Sequence, residues 1–335
     1  MPHRFFQLAK RVVLMYIARN KRGLLAPFPV RIQHIVSMPA VCTAWIHLTQ
    51  ILTQILLEMN ELCIRTTQTE TNGEIYMKVI ILSAGQGKRL LPLTAQKPKC
   101  LLDIQGKTLL EWQIGELHKC GIDQITVVTG YGSKKIETLL QKHCSQQAIT
   151  THYNPDYATT DNLVSCWKTR NEMDEDFILL NGDTLFEAAI VETLLASPDN
   201  PITVAINHKN IYDTDDMKIS MTQNRLIRIG KDIPLKEIHG EAIGMIRFCG
   251  DGPMTFRQGL EKAINNPKSG QKWYLSVIDA IAQEKTVMTC SIKGLLWCEV
   301  DYAADLKKAD EIVTGFSAAE IFDTAADSQR QKITV

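Results

Sequence analysis

The residues best suited to chemistry are two cations in a glycine-rich segment. Arg89 and Lys99 lie within ILSAGQGKRLLPLTAQKPKCLL, residues 81–102, which begins as a strand-like apolar run. Small residues after a strand let backbone N–H groups approach phosphate oxygens, and the two side chains add positive charge beside them. The segment therefore predicts a phosphate-binding loop.

Three glycine-rich patterns can be compared with this loop. A dinucleotide-binding turn, G-x-G-x-x-G, fits Gly85 and Gly87 but meets Leu90 where its third glycine should stand. A Walker A loop, G-x-x-x-x-G-K-[ST], fails on the spacing of the same two glycines. The pattern G-x-G-x-R-[LF]-x-P-[LM]-T-x-x-x-P-K fits at every position from Gly85 to Lys99. Of the three, only this last pattern describes the loop.

The loop resembles the signature of the nucleotidyltransferases that activate sugar phosphates and related phosphomonoesters, in which it wraps the triphosphate of an NTP. The resemblance implies that Arg89 and Lys99 are catalytic cations. It also implies a set of nucleotide-binding residues: Leu82, Ala84, Gly85, Gln86, Gly87 and Lys88. Lys88 departs from the family pattern, which commonly has Thr or Ser at this position.

Two aspartates are candidate metal ligands. Asp183 follows an apolar run in FILLNGDTLF, and Asp301 ends a short apolar run in LLWCEVDYAADL. Both resemble the metal aspartates of the same family, which implies a Mg²⁺ site, with Glu299 as a reserve ligand. The alternative is that each aspartate caps a helix N-terminus.

The acceptor side resembles bacterial phosphocholine cytidylyltransferases. The segment YNPDYATTDNLVSCW replaces the P-x-G-T-A segment of sugar-phosphate enzymes, and DDMKISMTQNRLIRIGKDI, HGEAIGMIRF and KWYLSVIDAI are further matches. The resemblance implies CTP as the NTP and a small phosphorylated acceptor such as phosphocholine. The substrate-binding residues it implies are Asn162, Lys218 and Glu241, with Tyr157, Trp273, Tyr274 and Trp297 as aromatic contacts for a quaternary ammonium. The alternative for the aromatic residues is a place in the core.

The implied reaction needs no general base, because a phosphate oxygen is already ionised near neutral pH. It would attack the α-phosphorus in line and expel pyrophosphate, with Arg89 and Lys99 stabilising the transition state. Two alternatives stay open. One is a sugar-1-phosphate nucleotidylyltransferase using UTP, dTTP or GTP. The other is a non-catalytic nucleotide-binding regulatory subunit, although such proteins tend to lose the loop arginine or a metal aspartate.

Composition bounds the class of protein. The chain of 335 residues has 37 basic and 37 acidic residues, so no overall field favours nucleic acid. Its 9 cysteines include no C-x-x-C pair, as expected for a cytoplasmic protein with buried thiols. No pattern predicts the oligomeric state.

Apolar strands alternate with helical patterns after residue 77. With the family resemblance, this alternation predicts a Rossmann-like three-layer α/β/α nucleotidyltransferase fold, with a mixed, mostly parallel sheet and a small antiparallel elaboration at 217–249. Predicted strands are 78–83, 124–128, 177–181 and 202–206. Predicted helices lie near 108–119, 133–142, 162–174, 185–196, 253–265, 274–283 and 302–313.

Three segments follow from this pattern. Residues 1–76 form a basic N-terminal extension with an amphipathic helical stripe at 48–59, which is either dispensable or a contact for a membrane or partner. Residues 77–315 form the nucleotidyltransferase domain. Residues 316–335 form a polar C-terminal tail.

Overall fold

The computed structural model describes residues 77–143, 148–267 and 269–316. The strands are β1 (Lys78–Ser83), β2 (Asp103–Ile104), β3 (Lys107–Thr108), β4 (Ile125–Thr129), β5 (Ile149–Tyr153), β6 (Phe177–Asn181), β7 (Thr184–Phe186), β8 (Ile202–Asn207), β9 (Lys218–Thr222), β10 (Arg225–Gly230), β11 (Gly240–Phe248), β12 (Met288–Ser291) and β13 (Trp297–Glu299). The helices are α1 (Leu109–Lys119), α2 (Ser133–His143), α3 (Asn162–Lys168), α4 (Ala188–Leu195), α5 (Gly252–Ile264), α6 (Leu275–Glu284) and α7 (residues 303–316).

A nine-stranded mixed sheet organises the domain, in the order β5-β4-β1-β6-β11-β8-β12-β10-β9. Within the described residues, β1 pairs in parallel with β4 and β6, β4 with β5, and β8 with β12. The pairs β6–β11, β8–β11, β9–β11, β9–β10 and β10–β12 are antiparallel. The predicted mixed sheet is confirmed, but its antiparallel part is larger than the sequence suggested.

Strand β11 joins the two halves of this sheet. Every residue of β11 is buried, and Gly244 within it has φ 76°, where the register with β8 shifts. The bend lets β11 pair with β6 at one end and with β9 at the other. Because β9 also pairs with β10, strands β11, β8, β12, β10 and β9 form a closed ring of pairings.

Helices cover both faces of the sheet, as the fold prediction requires. Alternate residues of β1 face opposite clusters: Ile80 packs with the residues of α3, α5 and α6, whereas Val79 and Ile81 pack with those of α1, α2 and α4. Phe177 and Phe248 stack in the first cluster with ring centroids 4.5 Å apart. The buried parallel strands therefore read as continuous apolar runs.

A third cluster lies under α7 and extends the domain. Phe316, assigned to the tail by the sequence, is 4% exposed and meets Trp112 edge-on with ring centroids 6.1 Å apart. The tail boundary at 316 is thus corrected, since this residue packs into the domain. The N-terminal extension with its amphipathic stripe, and residues 317–335, lie outside the described residues. No described helix is long and apolar enough to cross a membrane.

Two elements differ from the sequence prediction for tertiary reasons. The segment predicted as helix 185–196 begins as strand β7, because residues 184–186 pair with β13. The segment predicted as helix 162–174 ends at Lys168 and continues as the short 3-10 turn Arg170–Glu172.

Candidate active site

A cavity of about 520 Å³ opens at the carboxyl ends of β1 and β6. Thirteen of the predicted site residues line it: Leu82, Ala84, Gly85, Gln86, Gly87, Lys88, Arg89, Lys99, Tyr157, Asn162, Asp183, Trp273 and Asp301. The volume falls within the range of small-ligand sites. Ends of parallel strands are the usual place for a ligand in an open α/β sheet.

The glycine-rich loop folds back so that its two ends touch. Gly87 has φ 74°, and a Cβ atom placed there would lie 2.9 Å from the Cβ of Lys99. The Thr94 hydroxyl donates to the carbonyl oxygen of Gly87 at 2.8 Å. The left-handed backbone and the close approach both require glycine at position 87. The fold of the loop therefore determines where Lys99 stands.

Lys99 lies between the two predicted metal aspartates. Its Nζ donates to Asp183 Oδ2 at 2.8 Å and to Asp301 Oδ1 at 2.5 Å. Burial alone would lower the pKa of Lys99, but the charges and hydrogen bonds of the two carboxylates raise it above its ordinary value. The ammonium therefore stays charged at neutral pH.

Arg89 reaches across the cavity mouth. Its guanidinium pairs with Asp301 Oδ2 at 3.1 Å and Asp215 Oδ2 at 3.4 Å, and it donates to the Tyr302 hydroxyl at 3.3 Å. Asp215 lies in the loop between β8 and β9, and nothing local in the sequence marks it as a site residue. Arg89 thus bridges the phosphate loop to two other segments of the domain.

Asp183 sits in a turn fixed at both ends of its backbone. The Gly182 N–H donates to the Leu82 carbonyl at 3.0 Å, and the Val300 N–H donates to the Asp183 carbonyl at 3.0 Å. One carboxylate oxygen, Oδ2, accepts from Lys99. The other, Oδ1, is buried and has no hydrogen-bond partner among the described residues.

Asp301 opens α7, but another side chain caps that helix. The backbone N–H groups of Asp301 and Tyr302 both donate to Asp305 Oδ2, at 2.8 and 2.7 Å. The carboxylate of Asp301 is instead paired with Lys99 and Arg89. The capping alternative therefore does not account for the side chain of Asp301.

The carboxylates fit a hard divalent cation. Asp183 and Asp301 already share one cationic group, and Asp183 Oδ1 lacks a partner. Glu299 is exposed, and partial desolvation together with the charges of the two aspartates raises its pKa. The described residues contain no ready-made cluster of three or more His, Cys, Asp or Glu ligands. Mg²⁺ suits such a set, because it is usually held by one or two carboxylates together with substrate phosphates.

Two predicted charged residues stand outside the cavity lining. Lys218 is buried, and its Nζ donates to the carbonyl oxygens of Thr214, Asp216 and Lys231 at 3.3, 3.5 and 3.1 Å. Lys218 therefore contacts carbonyl groups outside the cavity lining, and its phosphate contact stays a prediction.

Glu241, expected to face the acceptor, is also buried. It accepts from Lys209 Nζ at 2.7 Å and from Asn207 Nδ2 at 3.2 Å. Burial raises the pKa of Glu241, while the bonds to Lys209 and Asn207 oppose that shift. The structure thus pairs Glu241 internally rather than bringing it to the cavity wall.

The aromatic candidates divide into two groups. Tyr157 and Trp273 line the cavity, and Trp273 is 41% exposed with Lys231 Nζ 4.3 Å from its ring centroid. Tyr274 is fully buried and donates its hydroxyl to Asn181 Oδ1 at 3.1 Å. Trp297 packs beside the core in β13. Neither of the last two lines the cavity, and a substrate contact by either residue stays a prediction.

Some lining residues were missed although their segments were recognised. Ser83 ends strand β1, Asn181 and Gly182 precede Asp183, and Ser165 lies in the segment YNPDYATTDNLVSCW. Asn162 has a double role, since its Oδ1 accepts from the Tyr274 N–H at 2.9 Å while it lines the cavity. The motifs located the wall of the site, but they did not show which side chains face the cavity.

Comparison with known proteins identifies the family that the domain matches. Residues 79–242 match the family described as MobA-like NTP transferase domains. The match assigns residues 79–242 to a nucleotidyltransferase domain. A solved structure described as the inositol-1-phosphate CTP transferase of T. maritima shares its fold, with a TM-score of 0.62 at 21% identity over 71% of this chain and 95% of that chain.

Curated relatives of the nucleotidyltransferase domain include two cytidylyltransferases matched over nearly their whole length. A CTP:phosphoglutamine cytidylyltransferase of Campylobacter jejuni is 25% identical, covering 69% of this chain and 98% of the relative. A choline-phosphate cytidylyltransferase of Streptococcus pneumoniae is 24% identical, covering 71% and 98%. Other relatives match over less: the chain spans 20% of a CMP-5'-(3-aminopropyl)phosphonate synthase and 40% of a sugar-1-phosphate nucleotidylyltransferase/acetyltransferase.

Proposed function

We propose that this nucleotidyltransferase is a Mg²⁺-dependent cytidylyltransferase that transfers CMP from CTP to a small phosphomonoester, with phosphocholine as the leading acceptor, and releases pyrophosphate. The observation that carries the proposal is the position of Lys99 between Asp183 and Asp301, below a loop that presents Arg89. The two cytidylyltransferases that match over 98% of their own length favour CTP over the other nucleotides.

The protein's own groups would act through charge and alignment. Backbone N–H groups of Gly85–Gly87 would approach the triphosphate, and Arg89 and Lys99 would neutralise charge as pyrophosphate leaves. The acceptor phosphate is ionised at neutral pH, so no side chain has to remove a proton. Such preorganised charges contribute more inside a cleft than in water, because water screens them less there.

Asp183 and Asp301 would hold Mg²⁺, with Glu299 nearby. The ion would supply charge neutralisation between the nucleotide and acceptor phosphates. Lys99 pairs with the same carboxylates, which keeps them from repelling one another.

A sugar-1-phosphate acceptor is the second candidate, since sugar-phosphate nucleotidylyltransferases also match the domain. The lining Tyr157 and the exposed Trp273 offer rings to a cationic acceptor, and Lys231 already lies against the ring of Trp273. The regulatory alternative is opposed by the joint presence of Arg89, Lys99 and both aspartates.

Pyrophosphate release by the full chain tests the proposal. CTP, UTP, dTTP and GTP would each be combined with phosphocholine, aminoethylphosphonate, inositol phosphate and glucose-1-phosphate, with and without Mg²⁺. The matched pair Asp183→Asn and Asp279→Asn would be assayed alongside, since Asp279 bonds Arg228 and the Ile229 N–H outside the cavity.

We expect Mg²⁺-dependent release with CTP and one small acceptor, retained by Asp279→Asn and lost by Asp183→Asn. Release with a sugar phosphate alone would replace the acceptor class but keep the chemistry. Release unaffected by Asp183→Asn would remove the metal assignment, and silence in every combination would favour the regulatory alternative.

A further inference from the structure

Gln113 reaches from α1 to the turn that carries Asp183. It is fully buried, and its Nε2 donates to the carbonyl oxygens of Asn181 and Thr184, each at 2.8 Å. These carbonyls lie on either side of Gly182 and Asp183. One side-chain amide thus ties both ends of the turn to α1.

A glutamine at this buried position is expected to lower the stability of the fold. Its neighbours on α1, such as Leu110, Ile114 and Leu117, fill an apolar cluster. Its own Oε1 is buried and has no hydrogen-bond partner among the described residues. A buried polar atom without a partner destabilises a fold, so an apolar side chain would suit packing better. The two hydrogen bonds of Nε2 explain why a side-chain amide stands at this position.

Further hydrogen bonds hold the turn besides those of Gln113. Gly182 donates its N–H to Leu82, the Asp183 carbonyl accepts from Val300, and the Thr184 hydroxyl donates to the Ile243 carbonyl at 2.9 Å. A Cβ atom at Gly182 would lie 2.5 Å from the Leu82 carbonyl oxygen, so the turn has no room to shift towards β1.

We propose that Gln113 is a positioning residue for the metal site: its amide clamps the Asn181–Thr184 turn and so fixes the direction of the Asp183 carboxylate. The inference rests on the proposed role of Asp183 as a metal ligand. Groups that orient a metal ligand commonly contribute 10–100-fold to metal affinity, although they do not touch the ion.

Glu116 offers a matched control on the same helix. It lies three residues further along α1, is 2% exposed, and its Oε2 accepts from the Ala188 N–H at 2.9 Å. Glu116 therefore also bonds a neighbouring element from a buried position, but that element is the start of α4 rather than the Asp183 turn.

The test measures Mn²⁺ binding to the full chain by calorimetry and the Mg²⁺ dependence of turnover with CTP and the active acceptor. The variants are Gln113→Leu, Gln113→Met, Glu116→Gln and Asp183→Asn, and urea unfolding checks each fold. We expect Gln113→Leu and Gln113→Met to fold, to weaken Mn²⁺ binding about 10-fold or more, and to require more Mg²⁺ for half-maximal turnover. Glu116→Gln should lose stability without changing metal affinity.

The outcomes separate the two proposals. If Asp183→Asn binds Mn²⁺ as the wild type does, the metal assignment fails, and the role of Gln113 fails with it. If Asp183→Asn loses Mn²⁺ binding but both Gln113 variants keep wild-type affinity, only the positioning role is overturned. If neither Gln113 variant folds while Glu116→Gln does, the amide is a structural requirement and the proposal is likewise overturned.

Discussion

At the scale of single residues, the site is a small network of opposite charges. Lys99 holds two carboxylates together, and Arg89 shares one of them, Asp301. These cations are the groups that the proposed reaction would turn towards phosphate oxygens. Each cation of the site is therefore paired with at least one carboxylate. The effect of removing each cation can be predicted separately.

Replacement of Arg89 by alanine should reduce turnover while leaving the fold intact. Arg89 is half exposed, so its loss costs little packing, but one preorganised charge on the transition state is worth about 10²–10³ in kcat, or roughly 3–4 kcal/mol. Steady-state kinetics and urea unfolding measure the two effects. Arg228→Ala removes an exposed arginine that pairs with Asp279 outside the cavity, and it should keep full activity. Wild-type turnover of Arg89→Ala would contradict the loop assignment.

Replacement of Lys99 by methionine should make stability depend on Mg²⁺. Without the ammonium, Asp183 has no cationic partner and faces the Asp301 carboxylate, which keeps only Arg89, so we expect the free energy of unfolding to fall by about 1–3 kcal/mol. Millimolar Mg²⁺ should restore part of this loss, because the ion binds the folded state. Urea unfolding with and without Mg²⁺ measures the effect.

Lys78 supplies the control for this experiment. It also pairs with two carboxylates, Asp174 and Glu175, but at the exposed start of β1. Lys78→Met should cost at most about 1 kcal/mol and show no Mg²⁺ dependence. A Lys99→Met protein whose stability ignores Mg²⁺ would contradict the proposed metal site.

At the scale of elements, contact between the two ends of the glycine-rich loop fixes its shape. Gly87 holds a left-handed backbone directly against the side chain of Lys99. The packing of the loop therefore fixes the position of the Lys99 side chain.

Gly87→Ala should damage activity more than stability. The left-handed conformation costs a non-glycine residue about 1–2 kcal/mol, and the new Cβ would displace Lys99. A displacement of about 1 Å at a reacting group can cost about 10²-fold in rate. Kinetics and urea unfolding of the variant test both parts.

Gly115→Ala is the control for this substitution. Gly115 lies in α1 with open space around it, so alanine should raise stability by roughly 0.5–1 kcal/mol without changing turnover. Equal kinetics for Gly87→Ala and Gly115→Ala would show that the position of Lys99 does not depend on the loop glycine.

At the scale of the whole described domain, several buried thiols give stability a pH dependence. Burial raises the pKa of Cys100 and of Cys298 to about 12, and these residues belong to different apolar clusters. Above about pH 9 the unfolded chain loses these protons, whereas the folded protein keeps them until about pH 12. The folded state then binds more protons, so stability falls as pH rises through this window.

The free energy of unfolding in reductant should therefore drop by about 1–3 kcal/mol between pH 8 and pH 10 from these two thiols together. Cys100→Ala and Cys298→Ala should each flatten the drop, although each also removes core contacts. Val127→Ala shortens another buried side chain that cannot ionise, so it should lower stability equally at both pH values. An unchanged slope in the cysteine variants would contradict the burial argument.

The sequence by itself was enough to predict the loop pattern and the strands near 78–83, 124–128, 177–181 and 202–206. The pattern from Gly85 to Lys99 is local, and its glycines, prolines and cations act through backbone geometry that neighbours in sequence dictate. The strands at 78–83 and 177–181 were also predictable, because strands buried on both faces are continuous apolar runs. Asp183 and Asp301 could be named because each follows such a run.

Only the tertiary structure decided which polar residues meet. Lys218 and Glu241 carry charges suited to a substrate, but Lys218 donates to the carbonyl groups of Thr214, Asp216 and Lys231, and Glu241 pairs with Lys209, which lies 32 residues earlier in the chain. Asp215 is a polar residue in a loop, and Gln113 is a polar residue on an apolar helix face. Neither has any other local signal in the sequence. Their partners, Arg89 and the Asp183 turn, come from other parts of the chain. Periodicity reports which face of an element is buried, whereas hydrogen bonds between elements depend on the packing of the whole fold.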